Sequence, residues 1–222
     1  MKARIIFDLD GTLIDSAPDI NRIANSALAS IGEPPISLTE THEFIGEGIS
    51  KFVEKMRIKK GLSKSLQIQL VDHMTKNYDD AVSFTVPYPG VADALKILSE
   101  TNSLGICTNK LISPAKKVLA HLGLNSYFDI LCGGDNPFGL KPNPAGLLDT
   151  FNKMDGEICI FIGDSEVDAE TARRASLPFL LFTEGYRKSS INNIPHLAAF
   201  DKYSDLPELI WETLQNNNFD HH

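Results

Sequence analysis

Cysteine is scarce in this 222-residue chain, and its three copies, Cys107, Cys132 and Cys159, are odd in number and far apart. That excludes a disulfide framework and the paired spacing of a zinc site. Their apolar neighbours suit small buried side chains in a reducing compartment, so a cytoplasmic location is expected. Long apolar runs are also missing. The longest, such as 158–162, fall far short of the roughly 20 residues of a membrane helix. The stretch after Lys2 and Arg4 stops at Asp8, too soon for the apolar region of a signal peptide. Positive charge is in deficit, with 21 Lys and Arg against 29 Asp and Glu and a net charge of −8. A nucleic-acid backbone is therefore a poor partner, and none is expected. One local exception, Lys51, Lys55, Arg57, Lys59 and Lys60, reads as a solvated helix face. Repeats and low-complexity tracts are absent.

What is present is an ordinary globular composition, 42% hydrophobic and 23% charged, long enough to bury a full core. Short apolar runs recur at 4–7, 104–107, 130–132, 158–162 and 179–182. Between or beside them lie stretches of helical periodicity at 91–100, 114–122, 144–154 and 166–175. Continuous apolar strands alternating with amphipathic helices predict a parallel sheet covered on both faces, a Rossmann-like, doubly wound α/β core. Residues 16–84 interrupt the alternation. Helical patterns at 19–31, 48–58 and 65–80, punctuated by Gly32-Glu33-Pro34-Pro35 and Gly61, predict an inserted α-helical domain. The core then comprises 1–15 and 85–222, with linkers at Asp15-Ser16 and 86–90. The polar tail 216–222 is expected to fray, and its two closing histidines suit a purification-tag remnant as well as a native end. Nothing in the sequence separates a monomer from a homodimer.

In open α/β sheets, ligands sit beyond the carboxyl ends of the strands. Four such places carry chemistry here: Asp8-Leu9-Asp10-Gly11-Thr12, Thr108-Asn109-Lys110, Lys141-Pro142-Asn143-Pro144, and 163–168 with Asp164 and Asp168. Each has a plainer reading as a turn, a helix cap or an exposed lysine. Four such coincidences, each at a strand end, favour one site. The set suits phosphoryl transfer. A phosphate monoester is a dianion and repels a carboxylate nucleophile until its charge is neutralised. Mg²⁺ does this through hard oxygen ligands, here Asp8, Asp164 and the main-chain carbonyl of Asp10. Thr108 and Lys141 then hold phosphoryl oxygens, and Asn109 supplies an amide beside them. Asp8 attacks phosphorus, while Asp10 protonates the leaving alkoxide and later activates water.

These residues resemble the four motifs of the haloacid dehalogenase-like hydrolase superfamily. Asp8 to Leu13 matches the first, Thr108-Asn109-Lys110 the second, Lys141 to Pro144 the third and Gly163-Asp164-Ser165 through Asp168 the fourth. Asp15-Ser16-Ala17-Pro18-Asp19, Tyr88-Pro89-Gly90 and Gly133-Gly134-Asp135 extend the likeness to bacterial phosphoglycolate phosphatases. The resemblance implies a Rossmann-like core with a helical cap, Asp8 as nucleophile, Asp10 as acid/base, Thr108 and Lys141 on phosphate, and Asp164 on the metal. Asp168 is implied in the outer shell, orienting Lys141 or a metal-bound water, with direct metal contact as the alternative. The expected substrate is a small phosphomonoester, 2-phosphoglycolate first. Asp10 separates the chain from dehalogenases, and Thr12 from many sugar phosphomutases. Pyrophosphatases and nucleotidases share the motifs. A non-catalytic homologue is expected to lose Asp8, Asp10 or Lys141, and all three are present.

Specificity is expected from the cap. Gly46-Glu47-Gly48 resembles the cap loop of phosphoglycolate phosphatases, where backbone N–H groups can meet a small carboxylate. Lys51 or Lys55 is expected to add charge. Glu47 within the loop and lysine at 55, where arginine is expected, depart from the usual pattern.

Overall fold

A computed structural model describes residues 2–79 and 81–216. The expected fraying of 216–222 lies outside the described residues, except that Asn216 closes the last helix. The strands are β1 (Ala3–Phe7), β2 (Ile14–Asp15), β3 (Val86–Pro87), β4 (Ser103–Cys107), β5 (Ile130–Cys132), β6 (Ile158–Gly163), β7 (Phe179–Phe182) and β8 (Ala198–Phe200). The insert carries helices α1 (Ala17–Ala29), α2 (Leu38–Phe44), α3 (Ile49–Lys59) and α4 (Gln67–Tyr78). The core carries α5 (Val91–Ser99), α6 (Ile112–His121), α7 (Ala145–Lys153), α8 (Glu166–Ala175) and α9 (Leu206–Asn216).

Six strands form one sheet in the order β5-β4-β1-β6-β7-β8, and every pair in it is parallel. β1 is central, with Ile6 in register with Gly105 and Phe161. A strand covered on both faces needs apolar residues throughout, and Ile5, Ile6 and Phe7 are fully buried. Helices cover both faces. One core cluster gathers Ile5, Phe7, Leu95, Leu104, Ile160 and Phe182, and another gathers Ile6, Leu147, Phe161, Ala169 and Leu181. This is a Rossmann-like α/β core. β8 and α9, which the apolar periodicity did not mark, complete its far edge.

The insert has its own apolar cluster, including Ile23, Leu28, Phe44, Phe52, Met56, Leu70 and Met74. Its second helix, α2, starts with a capping box. The Ser37 hydroxyl accepts from Glu40 N–H, and the Glu40 carboxylate accepts from Ser37 N–H. The two linkers pair with each other, β2 antiparallel to β3. Asp19 ties them further: its buried Oδ2 accepts from Phe84 N and Thr85 N at 2.8 Å and from Thr85 Oγ1 at 2.9 Å. The entry to the cap is thus clamped to its exit. Of the basic run along α3, Lys51 and Lys59 are exposed, while Lys55, Arg57 and Lys60 are half-buried, and all three cysteines are buried and form no disulfide. Among the described residues, no helix is long and apolar enough to cross a membrane.

Candidate active site

The carboxyl ends of β1, β4 and β6 place the motif residues around one crevice. Asp8 continues β1 by donating its N–H to Ile162 O at 2.8 Å, which fixes its backbone between two strands. Its Oδ1 lies 2.8 Å from Lys141 Nζ, at an angle that makes this an ion pair without an aligned hydrogen bond. Lys141 Nζ also donates to Asp168 Oδ1 at 2.6 Å. Asp168 is the N3 residue of a capping box on α8, and its Oδ2 accepts from Ser165 Oγ at 2.6 Å. A helix-start device therefore fixes the carboxylate that orients the lysine.

Asp164, at the end of β6, is held on both oxygens. Oδ1 accepts from Thr12 Oγ1 at 2.8 Å and Oδ2 from Tyr186 N at 2.6 Å. Gly11 passes directly over it with φ +88°, and a Cβ there would stand 2.5 Å from Asp164 Oδ2. Only glycine permits both the positive φ and the close approach.

Asp8, Asp164 and Asp168 each bring a carboxylate oxygen within 4.8 Å of the others, all three buried. Burial pushes Asp8 up to about 6, with Lys141 opposing and Asp168 adding to the rise. Asp164 is pushed well above the usual carboxylate range by burial, then by Asp168 and Asp8. Burial opposes the Lys141 charge, yet Asp168 and Asp8 keep it protonated. Three buried carboxylates share one ammonium, so the cluster has room for a further cation. Hard oxygen donors and excess negative charge fit a hard divalent ion.

Asp10 faces the cavity between core and cap. Its Oδ1 accepts from Ser16 Oγ at 2.6 Å, and Lys110 Nζ lies 3.0 Å and 3.2 Å from its two oxygens. Thr108 N donates to Cys132 O, and Thr108 Oγ1 accepts from Lys110 N at 3.2 Å. Its hydroxyl hydrogen is thereby available to an oxygen in the cavity, which Thr108 lines with Asp8.

The Asn109 side chain is held by main chain. Its Oδ1 accepts from Lys141 N at 2.8 Å, and its Nδ2 donates to Gly46 O at 2.9 Å and Lys141 O at 3.1 Å. The amide is fully engaged by main chain, so it ties the Lys141 loop to the cap loop. Gly46 and Gly48 do line the cavity. Lys51 does not, because it pairs with Glu54 at 2.7 Å on the exposed face of α3. Lys55 is bound to Glu47, which holds the Glu47 carboxyl below its usual range. Charge from either lysine toward the cavity was the expectation, and neighbouring glutamates take it up instead.

Several residues here escaped sequence reasoning. Lys110 stood in a recognised motif, but its partner Asp10 is distant in sequence. Thr12 lay in the first motif, and Ser16 in the stretch after it, without an assigned contact. Tyr186 donates its N–H to Asp164 and bonds through its hydroxyl to Ser16 N, Ala17 N and Asp15. Lys188 reaches Ile45 O of the cap at 3.3 Å. Neither carried a local pattern that would mark it.

Comparison with known proteins bears on this arrangement. A family profile described as haloacid dehalogenase-like hydrolase matches residues 5–182. The chain belongs to this family. A phosphoglycolate phosphatase of Cereibacter sphaeroides is 39% identical over 210 residues, covering 93% of this chain and 96% of that protein. The phosphoglycolate phosphatase of Aquifex aeolicus is 33% identical, covering 93% and 95%. A crystal structure of a predicted phosphoglycolate phosphatase from Haemophilus somnus superimposes with TM-score 0.81 at 26% identity, covering 93% of this chain and 96% of that one. These haloacid dehalogenase-like relatives match through cap and core alike. The helical insert is the cap of that fold.

Proposed function

We propose that this hydrolase cleaves a small phosphomonoester, with 2-phosphoglycolate as first choice, through a phosphorylated Asp8. The observation that supports it most is the meeting at Asp8 of three strand ends, which bring Asp10, Thr108 and Asp164, and of Lys141 from the loop before α7. The names of its relatives favour phosphoglycolate. The cavity volume of ≈ 50 Å³, enough for a few water-sized spheres, favours a small substrate. We read residues 16–84 as the cap domain, 1–15 and 85–222 as the core, and the cytoplasm as the location of a protein whose cysteines are free.

The acidic cluster suits Mg²⁺, with Asp8, Asp164 and the Asp10 carbonyl as its protein ligands. Bound there, the ion would neutralise phosphate charge and orient the phosphoryl group. Asp168 has both oxygens engaged by Lys141 and Ser165, so we assign it to positioning Lys141. Lys141 and the Thr108 hydroxyl then hold phosphoryl oxygens as charge develops on them. Asp8 attacks phosphorus, the ester P–O bond breaks, and Asp10 gives its proton to the departing alkoxide. In the second half, Asp10 takes a proton from water as that water attacks phosphorus, which releases phosphate and restores Asp8.

The test is phosphate release from a panel of phosphomonoesters, including 2-phosphoglycolate, sugar phosphates and nucleotides, with and without Mg²⁺. Release that depends on Mg²⁺ and is greatest with 2-phosphoglycolate is expected. Silence across the whole panel in the presence of Mg²⁺ rejects the reading.

A further inference from the structure

Lys110 follows Thr108 and Asn109 in the loop after β4 and is only 8% exposed. Its ammonium touches both oxygens of Asp10, from the core, and Tyr78 Oη at 3.3 Å, from the last residue of α4 in the cap. It also stands 4.4 Å from the centre of the Tyr78 ring. The group therefore sits on the seam between the two domains. Burial works against its charge, but Asp10 and Tyr78 more than offset this and keep it protonated.

The cavity that opens from Asp8 and Asp10 is walled on its cap side mainly by apolar groups, Ile20, Ile45, Ile49, Phe52 and Met74, with Gly46, Gly48 and Tyr78 beside them and Thr108 and Asn109 on the core side. Among the described residues that line it, Lys110 alone is cationic. The cap lysines do not reach it, since Lys51 is bound to Glu54 and Lys55 to Glu47. An anionic substrate tail entering this space meets Asp10 on one side and, on the cap side, mainly hydrocarbon. Without a cation it would stay unpaired and desolvated, which is strongly unfavourable.

We propose that Lys110, together with the Tyr78 hydroxyl, receives a second anionic group of the substrate, a carboxylate on the carbon next to the ester oxygen. The site thereby selects short phosphorylated hydroxy acids. This rests on the phosphomonoesterase reading above and adds to it the group that reads the substrate's tail. An ammonium has three donors, so it can be shared between Asp10 and an incoming carboxylate. The Tyr78 hydroxyl accepts from Lys110, and no described residue accepts its own hydrogen, which leaves a donor for the same carboxylate. Because Lys110 belongs to the core and Tyr78 to the cap, the substrate's tail also bridges the two domains.

The experiment compares 2-phosphoglycolate with ethyl phosphate, the same ester with methyl in place of carboxylate, in saturating Mg²⁺. The wild type, Lys110→Met and Tyr78→Phe are measured. Wild type is expected to prefer 2-phosphoglycolate in kcat/KM by about 100-fold or more, the scale of a desolvated charge pair. In Lys110→Met that preference should collapse to within about fivefold of unity, whatever the absolute rates. In Tyr78→Phe, which keeps the ring and threatens folding least, the preference should drop by about fivefold, one hydrogen bond's worth. Equal preference in wild type and both variants overturns the inference, as does a wild type indifferent to the carboxylate; in either case the phosphatase reading stands. A wild type that releases phosphate from neither ester, nor from any other phosphomonoester, removes the parent reading instead.

Discussion

On the core side, Lys141 ahead of α7, Asp164 after β6 and Asp168 in the first turn of α8 are almost closed to solvent, and each is gripped by a partner from another segment of the chain. Across the cavity, the cap contributes isoleucines, a phenylalanine, a methionine and two glycines, while its lysines are engaged elsewhere. One side of the cavity is a set of buried charges whose positions are dictated by strand ends and a helix start. The other is a largely apolar wall, with Tyr78 of the cap among its lining. The difference separates two tasks. Moving a phosphoryl group needs groups fixed to a fraction of an ångström. Choosing a substrate needs a surface that can close over it.

The sharpest way to break this comparison is Asp8→Asn. If the core alone carries the chemistry, turnover should fall by roughly 10⁴-fold or more for every ester, with no change in substrate preference. Thermal unfolding in metal-free buffer should be unchanged or higher, because one of three crowded carboxylates has been neutralised. Steady-state kinetics and a melting curve on the same preparation check both halves. Activity retained within tenfold of wild type would place the nucleophile elsewhere.

Lys141→Met comes next. It removes the ammonium that lies 2.8 Å from Asp8 and 2.6 Å from Asp168 and leaves three buried carboxylates without their counter-charge. Loss of one partner from a buried ion pair costs about 3–5 kcal/mol, so a large drop in urea stability is expected without metal. Excess Mg²⁺ should restore part of it, since a ligand that binds only the folded state adds stability by mass action. Turnover should stay low in either case because the phosphoryl oxygens have lost a donor. A variant as stable as wild type in metal-free buffer would show that the cluster does not depend on this lysine.

The same contrast explains what the sequence made legible. Asp8, Asp10, Thr108 and Asp164 follow directly on β1, β4 and β6, and Lys141 lies just ahead of α7; each alone has a structural reading, and it is their recurrence at one edge of the sheet that makes them legible. The alternation that predicts the sheet depends only on local periodicity, so β1, β4, β5, β6 and β7 could be read. β8 is three residues, Ala198–Phe200, too short to carry a period. α2 carries the capping-box spacing of Ser37 and Glu40, but its seven residues are too few to add a helical period to that signal. The pairing of Lys110 with Asp10 joins residues a hundred positions apart, and no local pattern encodes it. The same holds for Asp19, whose role depends on Phe84 and Thr85 meeting it after the whole cap has been traversed. In the cap, residue type and position alone do not reveal that Lys51 pairs with Glu54, one helical turn on, at 2.7 Å.

Asp19→Asn tests the joint between the two regions and should have the smallest effect. Asp19 Oδ2 accepts three hydrogen bonds from Phe84 and Thr85, and it faces Arg22 at 3.6 Å. The amide keeps the volume and one acceptor oxygen but loses the charge that strengthens those bonds. The expected loss in urea stability is about 1–3 kcal/mol, the difference between charged and neutral acceptors summed over the clamp. The chemical step should be nearly untouched, because no atom of Asp19 reaches the cavity lining. Any kinetic change should fall on KM, since the clamp sets how the cap returns over the strand ends rather than how phosphorus is attacked. A tenfold fall in kcat at unchanged KM would mean that the linker clamp also positions Asp10 through neighbouring Ser16, and that cap and core are less separable than their composition indicates.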